Sequence, residues 1–286
     1  IKEYLLDTDM VFLAGGEGGG SFTGGAPVIA EIAKEAGALT IAVTTKPFAF
    51  EGARRMVIAD EGIEKLKEKV DTLIVIPNQR IMEIVDKKVT LLEAFKIVDS
   101  VLSSGVQGIS EIITVPGLIN RDFADVKAIM KDAGSALLGI GTGVGENRAQ
   151  IAAKTAISSP LLDISIEGAK GILLNITGGP DLTMAEVDEA ARLITQAADA
   201  DANIIFGAAI NENMIDQVKI TVIATGFDEA KARLAKMMPT PKVPQPEGIV
   251  SEPPEEKLPI EEKKEEEFPE EEYDEFDIPA FLRQGK

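Results

Sequence analysis

The sequence predicts an α/β protein of two lobes joined by one long helix, with a disordered acidic tail. Three observations predict it. Apolar runs of strand length alternate with stretches whose apolar residues recur every three to four positions. Ala, Ile, Val and Leu dominate while aromatics make up only 5% of the chain, which suits buried parallel strands. Past Met238 the composition turns to Pro, Glu and Lys, with almost nothing to bury.

Taken in order, "IKEYLLDTD" reads as the end of a helix, and the chain opens at Ile1 without methionine, which predicts a fragment. "MVFLA" reads as a buried strand, and Val28, Ile29, Ile32, Ala33 and Ala36 then recur at helical spacing. "LTIAVTT" and "DTLIVIPN" are two further strands, separated by the helical "GIEKLKEKV". A long helix runs from Leu91 through Phe95, Val98 and Leu102 to Ile113 and stops at "VPG", where proline cannot continue it. "DFADVKAIMKDAG" is another helix. The second lobe runs through "SALLGIG", "NRAQIAAKTAI", "GILLNIT", "MAEVDEAARLITQAA", "ANIIFGAAI" and "QVKITVIAT". The expected divisions are 1–90 and 122–237 for the two lobes, 91–121 for the central helix and the loop after it, 238–272 for a linker and 273–286 for a terminal peptide.

Charge and composition exclude several functions. A formal charge of −19 opposes nonspecific nucleic-acid binding, because a phosphate backbone would be repelled. With neither cysteine nor histidine there is no disulfide framework and no thiolate or imidazole metal site. No apolar run approaches the roughly 18 residues that span a bilayer, and no signal peptide opens the chain. The expectation is a cytoplasmic protein without direct membrane insertion.

The stretch "GGEGGGSFTGGAP", Gly15 to Pro27, holds seven glycines in thirteen residues. Strand, glycine-rich loop and helix together aim backbone N–H groups and a helix dipole at an anion. Gly18, Gly19, Gly20 and Gly24 allow close approach, Ser21 and Thr23 add hydroxyls for phosphate oxygens or a cap, and Pro27 suits a first helical turn. Neither G-x-G-x-x-G nor G-x-x-x-x-G-K-[ST] is present, so a plain surface loop is the competing reading. Phe95 and Asp99 share a helix face at i, i+4, where a ring stacks on a base and a carboxylate accepts from guanine's N1–H and N2 amino group. On the residues alone, core packing for the one and a solvated face for the other is the favoured reading. Asn78 ends a strand, where ligands collect in open α/β sheets. Glu51 and Arg55 read alone as a helix ion pair, and Asp122 and Asp125 as helix-capping charges. "GIGTGVGENRA" also follows a strand and opens a helix, as a dinucleotide site would.

These segments together resemble the tubulin/FtsZ GTPase family. "VFLAGGEGGGSFTGGAPVIAEIAKE" is similar to its signature loop, and "TKPFAFEGARR", "LLEAFKIVDSVL", "GVQGISEIIT", "INRDFADVKAIM", "ALLGIGTG" and "DIPAFLR" follow in family order over the whole chain. The resemblance implies a partial Rossmann-like GTPase lobe, with the family's first strands and first glycine-rich loop lying ahead of Ile1. It implies GTP/GDP binding through Gly18, Gly19, Gly20, Ser21, Thr23, Gly24, Glu51 (ribose), Arg55 (phosphate), Asn78, Phe95 and Asp99 (base), with Mg2+ as companion ion. Asn120, Asp122 and Asp125 would act on the nucleotide of the next subunit in a head-to-tail filament building the bacterial division ring. By the same resemblance "GIGTGVGENRA" is a structural turn of the second lobe.

Four residues depart from the family pattern. Ser21 stands for threonine and keeps the hydroxyl, Phe22 stands for glycine, Glu17 for an apolar residue and Arg121 for an aliphatic one. A ring at position 22 is expected to crowd the phosphates, and Glu17 to add negative charge beside the loop. Both favour an alternative class, a non-hydrolysing homologue that modulates polymers as a binding protein. The tail adds one more expectation. Ile278, Phe281 and Leu282 form one apolar helical face with Asp277 and Pro279 in its first turn and Arg283 after it, a linear motif for a membrane-linked division adaptor.

Overall fold

The computed structural model describes residues 1–84, 89–114, 122–159, 162, 166 and 168–227, with backbone only for 83 and 84. Asn120, Arg121, the linker 238–272 and the peptide 273–286 lie outside the described residues.

After a 3-10 turn at Lys2–Leu5, where the sequence suggests a helix end, three parallel strands follow: β1 (Met10–Gly16), β2 (Leu39–Lys46) and β3 (Thr72–Pro77). Helices α1 (Ser21–Glu35) and α2 (Ala53–Lys67) connect them, and α3 (Asn78–Ile84) leaves β3 directly. The long helix α4 (Leu91–Thr114) and α5 (Phe123–Met130) precede β4 (Gly134–Val144). The remainder is α6 (Arg148–Ile157), β5 (Gly171–Gly178), α7 (Met184–Ala197), β6 (Asn203–Ile210) and β7 (Gln217–Thr225).

The lobes are joined by more than the helix. All seven strands form one sheet in the order β1-β2-β3-β4-β7-β5-β6. Strand β4 pairs parallel with β3 over Gly134–Ala136 and antiparallel with β7 over Leu137–Val144, so a continuous strand crosses the boundary that a helix alone was expected to bridge.

Strand alternation sorts side chains to two faces. Leu39, Ile41 and Val43 of β2, Ile74 and Ile76 of β3, Ala136 and Leu138 of β4, and Leu173, Ile205 and Ile223 further along meet Ala94, Val98, Ile109 and Ile112 of α4 and Val126, Ile129 and Met130 of α5. One core therefore underlies both lobes. On the other face, Ala42 and Leu73 pack against Ala26 and Ala30 of α1 and Ile63 and Leu66 of α2. Ile172, Leu174, Val218 and Ile220 pack against the alanine stripe of α6 and Ala190 and Ile194 of α7.

Helix α4 starts where Thr90 and Glu93 cap each other, Thr90 N–H donating to Glu93 Oε2 at 2.9 Å and Glu93 N–H to Thr90 Oγ1 at 3.3 Å. The "GIGTG" run is strand, not a ligand loop. A Cβ on Gly139, Gly141 or Gly143 would collide with backbone carbonyls of α6, at Ala156, Ala152 and Arg148. The glycines let a helix lie almost on the strand, which agrees with reading this segment as structural.

An ionic hub closes the second lobe. The Arg148 side chain, 6% exposed, donates to Asp181 and, at 2.6 Å, to Glu186, and Asp216 stands 3.7 Å away. Glu186 also accepts the Thr183 N–H at 2.8 Å, capping α7. Arg148 first, against opposing burial, holds the Glu186 carboxyl at about 2, below its ordinary 4.5. A depressed carboxylate contributes stability that is full above its unfolded value and is lost as pH falls through the folded one. Glu186→Gln should therefore cost about 1–3 kcal/mol at neutral pH and flatten the stability profile between pH 4.5 and about 2, read by denaturant unfolding across that range.

Candidate functional site

The register of the three parallel strands decides where their loops emerge. Gly16 lies beside Thr45, and Lys46 beside Pro77, so the β1–α1, β2–α2 and β3–α3 connections leave the sheet at one level. That is the carboxyl end of the strands, where open α/β sheets bind ligands.

The glycine loop closes on itself before it opens to solvent. Gly18, at φ +87°, donates its N–H to Thr23 Oγ1 at 3.0 Å. A Cβ there would meet the Arg55 carbonyl at 2.7 Å, so the loop lies against α2. Thr23 thus closes the loop through its hydroxyl. Beyond it, Gly19, Gly20 and Gly24 face open space, with Gly20 at the N-cap of α1 and no side-chain cap among the described residues. Exposed Ser21 is the first residue of the helix. Pro27 is not in the first turn as expected: the helix starts six residues earlier, and Pro27 lies within it.

Phe22 does not crowd this face. Its ring covers Gly15, where a Cβ would overlap it, and joins the apolar cluster between α1 and α2. Glu17, expected to charge the surface beside the loop, is 2% exposed. Burial pushes its carboxyl above the ordinary value, and the adjacent Thr23 hydroxyl opposes that shift. Neither carboxylate oxygen has a hydrogen-bond partner among the described residues.

At the next connection, Glu51 Oε1 accepts the Phe48 N–H at 2.8 Å and Oε2 pairs with Arg55 at 2.9 Å, the i, i+4 ion pair that the spacing also allowed. Phe48, fully buried, stacks on Phe50 at 5.0 Å and meets Phe95 edge-on at 5.4 Å. Phe95 keeps 38% of its surface exposed, and Asp99 stands exposed one turn further along α4. Asn78 opens α3, is 5% exposed, and carries a buried Oδ1 without a partner among the described residues. Gln79 Oε1 accepts the Ala49 N–H at 3.2 Å and ties the second and third connections together. Phe48, Phe50 and Gln79 escaped the sequence reading; the aromatic spacing in "KPFAF" was the available signal.

Asp122 and Asp125 are elsewhere. Asp122 is the N-cap of α5 without a side-chain cap bond among the described residues, which removes its simplest structural role. The next residue, Phe123, lines a cavity of about 350 Å³ with Asp9, Met10, Phe12, Ser110, Ile113 and Thr114. That cavity flanks the start of β1, whereas the glycine loop follows its end. Six residues of strand at about 3.3 Å each separate the two by roughly 20 Å. Within one chain the aspartates and the loops are not brought together.

This arrangement holds space and donors for an anion at α1, a half-exposed ring with a carboxylate one turn away, and an unsatisfied buried acceptor between. No group of three or more metal-ligating side chains occurs among the described residues.

Residues 1–86 match the model of the tubulin/FtsZ family GTPase domain, and residues 134–228 that of the FtsZ family C-terminal domain. The solved "FtsZ dimer, empty" of M. jannaschii is 48% identical, with a TM-score of 0.77, over 80% of this chain and 66% of that one. The FtsZ W319Y mutant of M. jannaschii has the same identity and TM-score over 80% and 68%. This chain thus spans about two-thirds of their length. CetZ1 from Haloferax volcanii, a GDP-bound monomer, is 17% identical over 81% of this chain and 70% of that one at a TM-score of 0.64, a likeness of fold.

The Phe22 ring supports the loop from beneath. Phe22→Gly should destabilise the protein by about 1–3 kcal/mol, because it empties the space over Gly15 and puts a third glycine into the first turn and a half of α1. Thermal unfolding checks this; an unchanged midpoint would show that the ring is not packed there.

Proposed function

The chain belongs to the tubulin/FtsZ family, and from that premise we propose that it binds and hydrolyses GTP and polymerises head to tail into the division ring. The observation that carries the reading is the buried Asn78 Oδ1, without a partner among the described residues, at the level where all three strand connections emerge. A buried acceptor left alone costs about 1–3 kcal/mol, so a ligand donor at this point is rewarded. Guanine supplies such donors. Phe95 stacks on the base and Asp99 accepts from its N1–H and N2 amino group. The N–H groups of Gly19, Gly20 and Ser21 and the N-terminus of α1 hold phosphate oxygens, with Gly18, Thr23 and Gly24 shaping the loop. Glu51 retains lone pairs for the ribose beyond its two present partners, and Arg55 turns to phosphate. Mg2+ would offset phosphate charge.

Asn120, Asp122 and Asp125 supply the hydrolytic half. Carboxylates cannot hold phosphate, but they can orient and polarise an attacking water. Their position at the opposite end of the sheet suits hydrolysis at a junction, one subunit's α5 start meeting the next subunit's loop. The non-hydrolysing alternative drew on Phe22 and Glu17, and it loses ground because the Phe22 ring packs over Gly15 against the apolar cluster and Glu17 is buried. The acidic linker and the peptide Asp277–Arg283 give reach to a membrane-linked adaptor, placing the protein at the division site in the cytoplasm.

Two outcomes test this. In equilibrium binding, Asp99→Ala should reduce the preference for GTP over ATP by roughly 10²-fold, since the guanine edge loses its paired acceptor. Retention of the original preference would remove Asp99 from the site. Alanine at both Phe281 and Leu282 should abolish adaptor binding by the peptide and leave GTP binding unchanged, measured by fluorescence anisotropy and calorimetry in parallel.

A further inference from the structure

Glu17 is the group in the site for which GTP binding has no use. It lies between Gly16, the last residue of β1, and Gly18, under the loop proposed to receive phosphates. Its backbone N–H donates to the Thr45 carbonyl at 3.0 Å, and the next N–H is held by Thr23. Gly18 takes a backbone conformation that only glycine adopts readily, which fixes the exit of the loop. The Glu17 side chain is therefore locked inward. It fills the notch that α2 leaves at Gly62, where a Cβ would stand 2.5 Å from Oε2 and would also overlap the Thr23 methyl.

Among the described residues neither carboxylate oxygen of Glu17 has a hydrogen-bond partner. The first two turns of α1 carry no ionisable side chain and present only Thr23. From α2, Arg55 is paired with Glu51, and Asp60 with Lys46 of β2, the cation nearest along that strand. From β2 itself the contact is the Thr45 carbonyl. Burial among these groups disfavours the ionised form and raises the carboxyl above its ordinary value, with the Thr23 hydroxyl opposing. An arriving di- or triphosphate puts more negative charge on the outer side of the same loop and penalises ionised Glu17 further.

We propose that Glu17 couples phosphate binding by the glycine loop to proton uptake. The coupling rests on the reading that this loop holds a nucleotide's phosphates. Glu17 acts as a positioning residue: in its neutral form it lets the loop lie flat against α2, and when ionised it pushes the loop away from Gly62. Nucleoside di- or triphosphate affinity then declines as pH rises through the Glu17 titration, by up to about tenfold per pH unit for one linked proton.

The experiment compares the full chain with Glu17→Gln, a neutral side chain of the same shape, in two measurements. The first uses no nucleotide. A carboxyl raised above its ordinary 4.5 contributes stability that is present below that value and lost as pH rises through the folded one. The melting temperature of Glu17→Gln should accordingly move above that of the parent chain as pH rises from 5 to 8. Parallel profiles overturn the proposal. The second is calorimetry with GDP in buffers of different ionisation enthalpy. The parent chain should take up a proton on binding, with GDP affinity falling as pH rises, and Glu17→Gln should show neither. Binding with the same pH dependence in both chains overturns the coupling while keeping the loop as the phosphate site. Absence of GDP binding in both chains at every pH overturns the reading of the loop and the coupling with it, while a gap in melting temperature would still report the state of Glu17.

Discussion

Strand β4 has to satisfy two neighbours that run in opposite directions, and the rest of the molecule follows from how it does so. Gly134–Ala136 extend the parallel sheet from β3, and Leu137–Val144 accept β7 in antiparallel register. The strand reaches its place through a turn with Asp132 at φ +51° and Gly134 at φ +71°. That turn is pinned from below: buried Asp71 accepts the Thr40 N–H at 2.8 Å and pairs with Lys34, which also holds Asp132. One face of β4 gives Ala136 and Leu138 to the core under α4, and the other carries glycines so that α6 can lie against it. The alanines of α6 at 149, 152, 153 and 156 are the other half of the same constraint, because larger residues would lift the helix off the strand. Any Cβ at Gly141 would separate them.

Because β4 makes the sheet continuous, one apolar core is shared by both lobes and α4 is clamped against it along its length. The helix therefore acts as a ruler. Its early residues, Phe95 and Asp99, stand at the carboxyl end of β2 and β3 through the Phe48 contact, and its last turn ends beside the start of β1. A rigid element of this kind holds the Phe95–Asp99 end, proposed to receive a base, and the aspartate-bearing end apart within one chain. The separation makes a shared site between copies geometrically reasonable.

The strands and α4 were legible in the sequence because periods of two and of three to four are stated by contiguous residues. The start of α1 was not. Ser21 to Gly25 are poor helix formers, and that turn is anchored by the Phe22 ring settling on Gly15 and by Thr23 against Gly18 and Gly62, tertiary contacts overriding propensity. Helix α3 is seven residues long and too short to state a period. In the candidate site, the residues proposed to face a nucleotide could be listed from motif and resemblance, but their supports could not. The Phe48–Phe95 contact joins a loop to a distant helix, and the burial of Glu17 depends on a missing Cβ at Gly62. A charged residue within a glycine run carries no local sign that a helix elsewhere has left room for it.

The departures at positions 17 and 22 become intelligible once α1 is seen to begin at Ser21. Phe22 then stands at the head of a stripe with Ala26, Ala30 and Ala33, at i, i+4, i+8 and i+11, the buried face of the helix. Position 22 is a core position by period, and a large apolar side chain there lengthens that face by one turn. Gly24 lies on the opposite side, and it looks onto open space together with Gly19 and Gly20. Glu17 likewise turns toward α2 and away from that space. The two unusual side chains therefore alter what supports the loop from beneath, and they leave the surface offered to a ligand made of glycine and serine.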